Sequence, residues 1–137
     1  MCIIAYKHPT GRFTQESIRA FIPMFNHNPD GAGMMFHDTD AEGVAKVHIV
    51  KGLMKFEDFL AACELYHITE REEVMFHFRV KTHGQKNAAN THPFAVTDDP
   101  ALLGATDVFV DQAIMHNGVL PVEYKTDVWS DSAQFAM

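Results

Sequence analysis

Cys2 is the residue with most to say about chemistry. Once Met1 is removed, it carries a thiol and a free α-amine on one residue. An α-amine has a reference pKa of about 7.7–8.0 and a thiol about 8.5, so near neutrality the amine can take the thiol proton. The result is a thiolate beside its own base, an activated nucleophile that needs no histidine. The alternative is a small apolar residue opening a buried strand. Asn117-Gly118 closes an apolar run. It could offer a side-chain amide and a backbone N–H to one developing oxyanion, and it is equally a common turn dipeptide. Arg79 lies inside the apolar stretch 74–80, where a buried guanidinium needs a carboxylate, either from the protein or from a substrate. Thr82-His83-Gly84 follows where strand gives way to loop, a place where sites gather.

Nine histidines invite a metal reading. They are scattered singly, with no H-E-x-x-H and no C-x-x-C, so neither a metal nor another cofactor is expected. His77, inside a strand, reads as a satisfied core residue. The run 70–73 (Glu-Arg-Glu-Glu) reads as a solvated connection, and Met34, Met35 and the phenylalanines as core. Eighteen acidic residues against eleven Lys and Arg give a net charge of -7, which argues against nucleic acid or an anionic membrane as partner. No apolar run approaches the roughly 20 residues of a membrane span. Cys2 and Cys63 alone make no disulfide framework, so a reducing cytoplasm is the expected location.

These residues need elements to hold them. With 137 residues, 47% hydrophobic and 21% charged, one domain over 1–137 can bury a core. A strand is expected over 2–7. Ile18, Phe21, Ile22 and Phe25 share a helical face that Pro23 kinks or ends. Strands at 33–37 and 44–51 flank a hairpin loop at 38–43. Phe56, Phe59, Leu60, Cys63 and His67 mark a second helix, and 74–80 is the strongest strand. A loop over 82–90, a strand at 93–96, a loop over 97–106 and one or two strands in 107–115 follow. The stretch after Gly118 is irregular until Ser130-Asp131-Ser132 opens a helix. Strands mixed with helices in this order predict an α+β domain with mostly antiparallel sheet.

In chain order the motifs are Met-Cys-Ile-Ile at 1–4, Asn-Pro-Asp-Gly-Ala-Gly at 28–33 and His-Phe-Arg-Val-Lys-Thr-His-Gly at 77–84. Asn-Thr-His-Pro-Phe at 90–94, His-Asn-Gly at 116–118 and Ser-Asp-Ser at 130–132 complete the series. The series resembles the glutaminase domain of class II glutamine amidotransferases, a branch of the N-terminal nucleophile hydrolases, and is nearest to compact bacterial and phage members. The resemblance covers 2–131. It implies an α-β-β-α sandwich in which Cys2 attacks the side-chain amide of glutamine or a related substrate, using its own α-amine as proton shuttle. It also implies that Arg79, helped by Thr82 and His83, takes the substrate α-carboxylate. Asn117 and the Gly118 N–H would form the oxyanion hole, and Asp131 would hold the α-amino group. A zwitterionic substrate end does need one fixed cation and one fixed anion.

Three further expectations follow. Ile3 stands where many members carry glycine, and retention of Met1 would turn the α-amine into an amide. The chain would then be an inactive member of the fold, serving as a binding or assembly component, for instance in a phage. Only six residues follow Asp131, where the family continues, so apolar sheet is expected to be left for a partner or a second copy of the chain. A Cys-His-Asn protease built on Cys2, His116 and Asn117 is disfavoured, because adjacent strand residues face opposite ways.

Overall fold

Val74, Phe76 and Phe78 are fully buried and alternate with Met75 and His77, so strand β4 (Val74–Phe78) presents two different faces. The computed structural model describes residues 1–121, 123 and 126–137. In it β4 lies between β1 (Ile3–Lys7) and β2 (Ala32–Thr39), and β3 (Ala45–Leu53) and β6 (Asp107–Val110) extend the sheet beyond β2. The order is β1-β4-β2-β3-β6, with every neighbouring pair antiparallel. The chain is thus α+β with a mostly antiparallel sheet.

Helices α1 (Gln15–Arg19), α2 (Ile22–His27) and α3 (Phe56–Leu65) cover one face. Ile18, Phe21, Phe25, Phe59 and Cys63 pack there against Met34, Phe36, Val50 and the three buried β4 residues. The Phe21 ring lies 4.9 Å from Phe76 and 5.3 Å from Phe78, both edge-on. Each such pair adds about 0.5–1.5 kcal/mol beyond its buried area. Of the expected helical face, Ile18, Phe21 and Phe25 meet the core but Ile22 is exposed, and two helices replace one. Thr14 and Ser17 cap α1 reciprocally, and α1 ends at Ala20. Pro23 then sits in the first turn of α2, where its missing N–H has no partner to lose. The expected loop 97–106 also needs correcting, since it contains α4 (Pro100–Gly104). The Asp99 carboxylate accepts the Ala101 N–H at 2.9 Å, and Pro100 occupies the first turn.

On the other face, β5 (Phe94–Ala95) and β7 (Ala113–Ile114) form a two-stranded ladder. Ala95 and Ala113 pack on Ile49 and Val110 of the large sheet. Phe94 and Ile114 pack on Leu103 of α4 and on Ala133 and Ala136 of α5 (Asp131–Ala136). The layers therefore run helix, sheet, ladder, helix. The ladder covers only part of this face: Met35 and Met75 line an open apolar hollow with Val47 and Ala113, and Tyr6 is half exposed. No helix among the described residues is long and apolar enough to cross a membrane. The irregular stretch expected after Gly118 includes residues 122, 124 and 125, which lie outside the described residues.

A polar row crosses this second face. Ile4 pairs with His77, His77 with Gly33, and Gly33 with Lys51. A Cβ on Gly33 would stand 1.9 Å from the His92 carbonyl oxygen, so only glycine lets the 88–94 segment lie on the sheet. The Lys51 ammonium donates to the Ala89 and Leu103 carbonyls at 3.0 and 2.8 Å and sits 4.2 Å above the Phe94 ring. Burial without a carboxylate beside it pulls the Lys51 pKa down to about 7.

Candidate active site

By strand alternation Cys2 faces the same side of the sheet as His77 and Arg79, at one end of the polar row. Its Sγ lies 3.4 Å from both the N–H and the carbonyl of Val80, accepting from the first and donating to the second. The N-terminal segment is held by Asn28, 3% exposed, whose Nδ2 donates to the Phe78 carbonyl at 3.2 Å and to the Met1 carbonyl at 2.9 Å.

Arg79 immediately follows β4 and is 3% exposed. Its two terminal nitrogens donate to the carbonyls of His83 and Gln85, each at 3.1 Å, so the guanidinium shapes the 82–86 loop. Among the described residues it forms no ion pair with a carboxylate. Burial lowers the pKa of its guanidinium, against the pull of Cys2, Asp30 and Asp131. Among the described residues the hydrogen-bond partners of this buried cation are carbonyls.

Asp131, 4% exposed, begins α5 after the Ser130 cap. One of its oxygens accepts the Leu120 N–H at 2.7 Å. Asn90, fully buried, fixes the approach to α5: its Nδ2 donates to the Val128 carbonyl at 2.6 Å and its Oδ1 accepts the Ser130 N–H at 2.9 Å. The Gln85 N–H donates to the same Val128 carbonyl at 3.1 Å. Gly84, at φ +74°, lets the two segments touch, since a Cβ there would stand 2.6 Å from the Ser130 nitrogen. These contacts carry Asp131 to the loop that Arg79 organises.

Cys2, Arg79, Thr82, His83, Gly118 and Asp131 consequently line one small cleft. Of the residues singled out from sequence, only Asn117 does not line it. Its side chain is exposed, next to Gly118, which adopts φ +141°. His92 and His116 also line the cleft. His77, expected to be a satisfied core residue, is buried but only half satisfied: its Nε2–H donates to the His116 carbonyl at 3.2 Å, while Nδ1 is buried without a partner. Asn28, Asn90 and His92 were not assigned roles from sequence. The signal for them was a polar residue beside proline or threonine in a turn-rich motif, which does not distinguish a surface turn from a buried clamp. Among the described residues no group of three His, Cys, Asp or Glu is placed to hold a metal ion.

The arrangement offers a thiol, a buried cation fork, a carboxylate and a backbone N–H around one concavity. Compared with family models, curated proteins and solved structures, the chain matches none.

Proposed function

We propose that the chain, in the form beginning at Cys2, is a class II glutamine amidotransferase-like amidohydrolase with an N-terminal nucleophile hydrolase fold. The observation that carries this reading is the convergence of Cys2, Arg79 and Asp131 on one cleft, with Arg79 in no ion pair among the described residues. The helix, sheet, ladder, helix layering supports the fold. Met1 is 91% exposed and open to an aminopeptidase.

In this reading Arg79 pairs with the α-carboxylate of glutamine, with Thr82 and His83 beside it, and Asp131 pairs with the α-ammonium. The Cys2 sulfur bonds to the side-chain carbonyl carbon as the thiol proton passes to the Cys2 α-amine. The carbonyl oxygen becomes an oxyanion held by the Gly118 N–H, and the exposed Asn117 amide would have to turn inward to join it. The C–N bond breaks, the α-amine returns the proton, and ammonia leaves a thioester. Water, deprotonated by the same amine, attacks the thioester, releasing glutamate and the thiol. No metal or cofactor enters.

Met1-free protein should release ammonia from glutamine and gain one adduct at Cys2 from a glutamine-like diazoketone. Absence of both in a sample shown by intact mass to begin at Cys2 would sink this reading. A second reading, a binding or assembly component of the same fold, is favoured by the Asn28 bond to the Met1 carbonyl, which trimming removes. Retention of Met1 in protein from its native source would decide for it.

A further inference from the structure

Residues 116–120 contain both proposed oxyanion donors, yet they follow the end of β7 and belong to no strand. Among the described residues they are tied down at two points. The Leu120 N–H donates to Asp131, and the His116 carbonyl accepts from the ring of His77. The second tie is unusual because it comes from the large sheet itself. His77 is fully buried in β4, with Ile4 and Gly33 as its cross-strand neighbours. Its ring is clamped by the His92 ring, stacked at 3.9 Å and 23°, and His92 in turn lies edge-on to Phe94 at 4.8 Å.

We infer that His77 is a positioning residue: its Nε2–H, fixed in β4 and stacked under His92, holds the His116 carbonyl and so sets where the Asn117–Gly118 peptide stands relative to Cys2. The inference rests on the proposed hydrolase reading for what that peptide does. It does not rest on it for the tether itself.

The chemistry restricts the ring to one form. A carbonyl can only accept, so Nε2 must carry the hydrogen and Nδ1 the lone pair. Burial favours the neutral ring, and the neighbouring Arg79 cation works in the same direction. A neutral imidazole has one N–H, and it is spent on the carbonyl two residues before Gly118. The thiol–amine pair of Cys2 handles the proton, so His77 acts through residues 116–118 and touches no reacting atom.

The test compares two substitutions in Met1-free protein. His77→Gln places an amide N–H near the Nε2 position, whereas His77→Asn is one methylene too short to reach the carbonyl. Three quantities are read: kcat and KM for glutamine, the alkylation rate of Cys2 by iodoacetamide, and hydrogen exchange of the amide at 120. His77→Asn should lower kcat by about 100-fold, the scale of a displaced oxyanion donor, and leave KM within about threefold. Exchange at 120, whose N–H is bonded to Asp131 at 2.7 Å, should rise, while iodoacetamide alkylation, which uses no oxyanion donor, stays near the wild-type rate. His77→Gln should recover most of kcat and of the exchange protection. Equal kcat and equal exchange in the two variants would overturn the inference, as would a change confined to KM. If wild-type protein turns over no glutamine, the hydrolase reading fails by itself, and the exchange comparison still decides whether His77 tethers the segment.

Discussion

Strand β4 feeds two regions that share a backbone and little else. On one side Phe76 and Phe78 meet Phe21, Phe25 and Phe59, ring against ring. On the other, His77 meets the ring of His92, and beyond the strand end Arg79 reaches the carbonyls of a loop. The two cysteines divide in the same way. Cys63, 2% exposed on the helix side, has its thiol pushed up to about 12 by burial, whereas Cys2 lines the cleft with an N–H donor at its sulfur. The helix side secures the chain chiefly by apolar contact, with His48 and Lys7 among its buried polar members. The other side keeps buried polar groups whose hydrogen bonds are spent on loops, which is a poor way to gain stability and a good way to fix positions.

The sharpest break of this contrast is at the thiols. Cys2→Ser in Met1-free protein should cut glutamine hydrolysis at least about 10³-fold with little change in Tm. Iodoacetamide at pH 8 should modify the folded wild-type chain once, at Cys2 and not at Cys63, as peptide mass mapping would show. Phe76→Ala should do the reverse. It costs about 3–5 kcal/mol in urea unfolding, while any molecules still folded keep a competent cleft. Next in size, Arg79→Lys keeps the charge but loses the planar fork that grips both loop carbonyls. It should raise KM for glutamine about 10- to 100-fold.

The smallest effect is acid sensitivity confined to the polar side. Burial pulls the His77 pKa to about 4 from an ordinary 6.5. The unfolded chain therefore binds the proton more readily, and stability falls as pH drops from about 6.5 towards 4. Between pH 7 and pH 5 this group alone should remove about 2 kcal/mol. Urea titrations at the two pH values should show His77→Gln losing less than wild type, and Phe76→Leu losing as much as wild type.

Much of the helix side was legible from one-dimensional pattern. The alternation in 74–78 and the helical spacing of Phe56, Phe59 and Cys63 survive almost residue for residue, because each is a local period imposed by one apolar surface. α4 carried its own signal in Asp99-Pro100, a capping residue followed by a first-turn proline, but five residues are too few to show a period. On the polar side, residue types pointed to Cys2 and Arg79 and the family resemblance to Asp131, and the fold brings them to one cleft. The clamps were not legible. Asn90 serves Ser130 from 40 residues away, Asn28 serves Phe78 from 50 and His77 serves His116 from 39. Hydrogen bonds at such separations leave no spacing for a sequence to display. The His48 ring, held by Asp107 at 2.6 Å and stacked on Phe109, is another long-range tie of that kind, far down β3 from the cleft.

The strand order has a consequence during synthesis. β1 sits at the sheet edge and among the described residues pairs with β4 alone, so it cannot pair until roughly 70 more residues have been added. At about 5–20 residues per second, a ribosome leaves β1 unpaired for several seconds or longer. Edge placement, with pairing delayed to the fourth strand, leaves β1 without a partner while β2 and β3 can already form their hairpin.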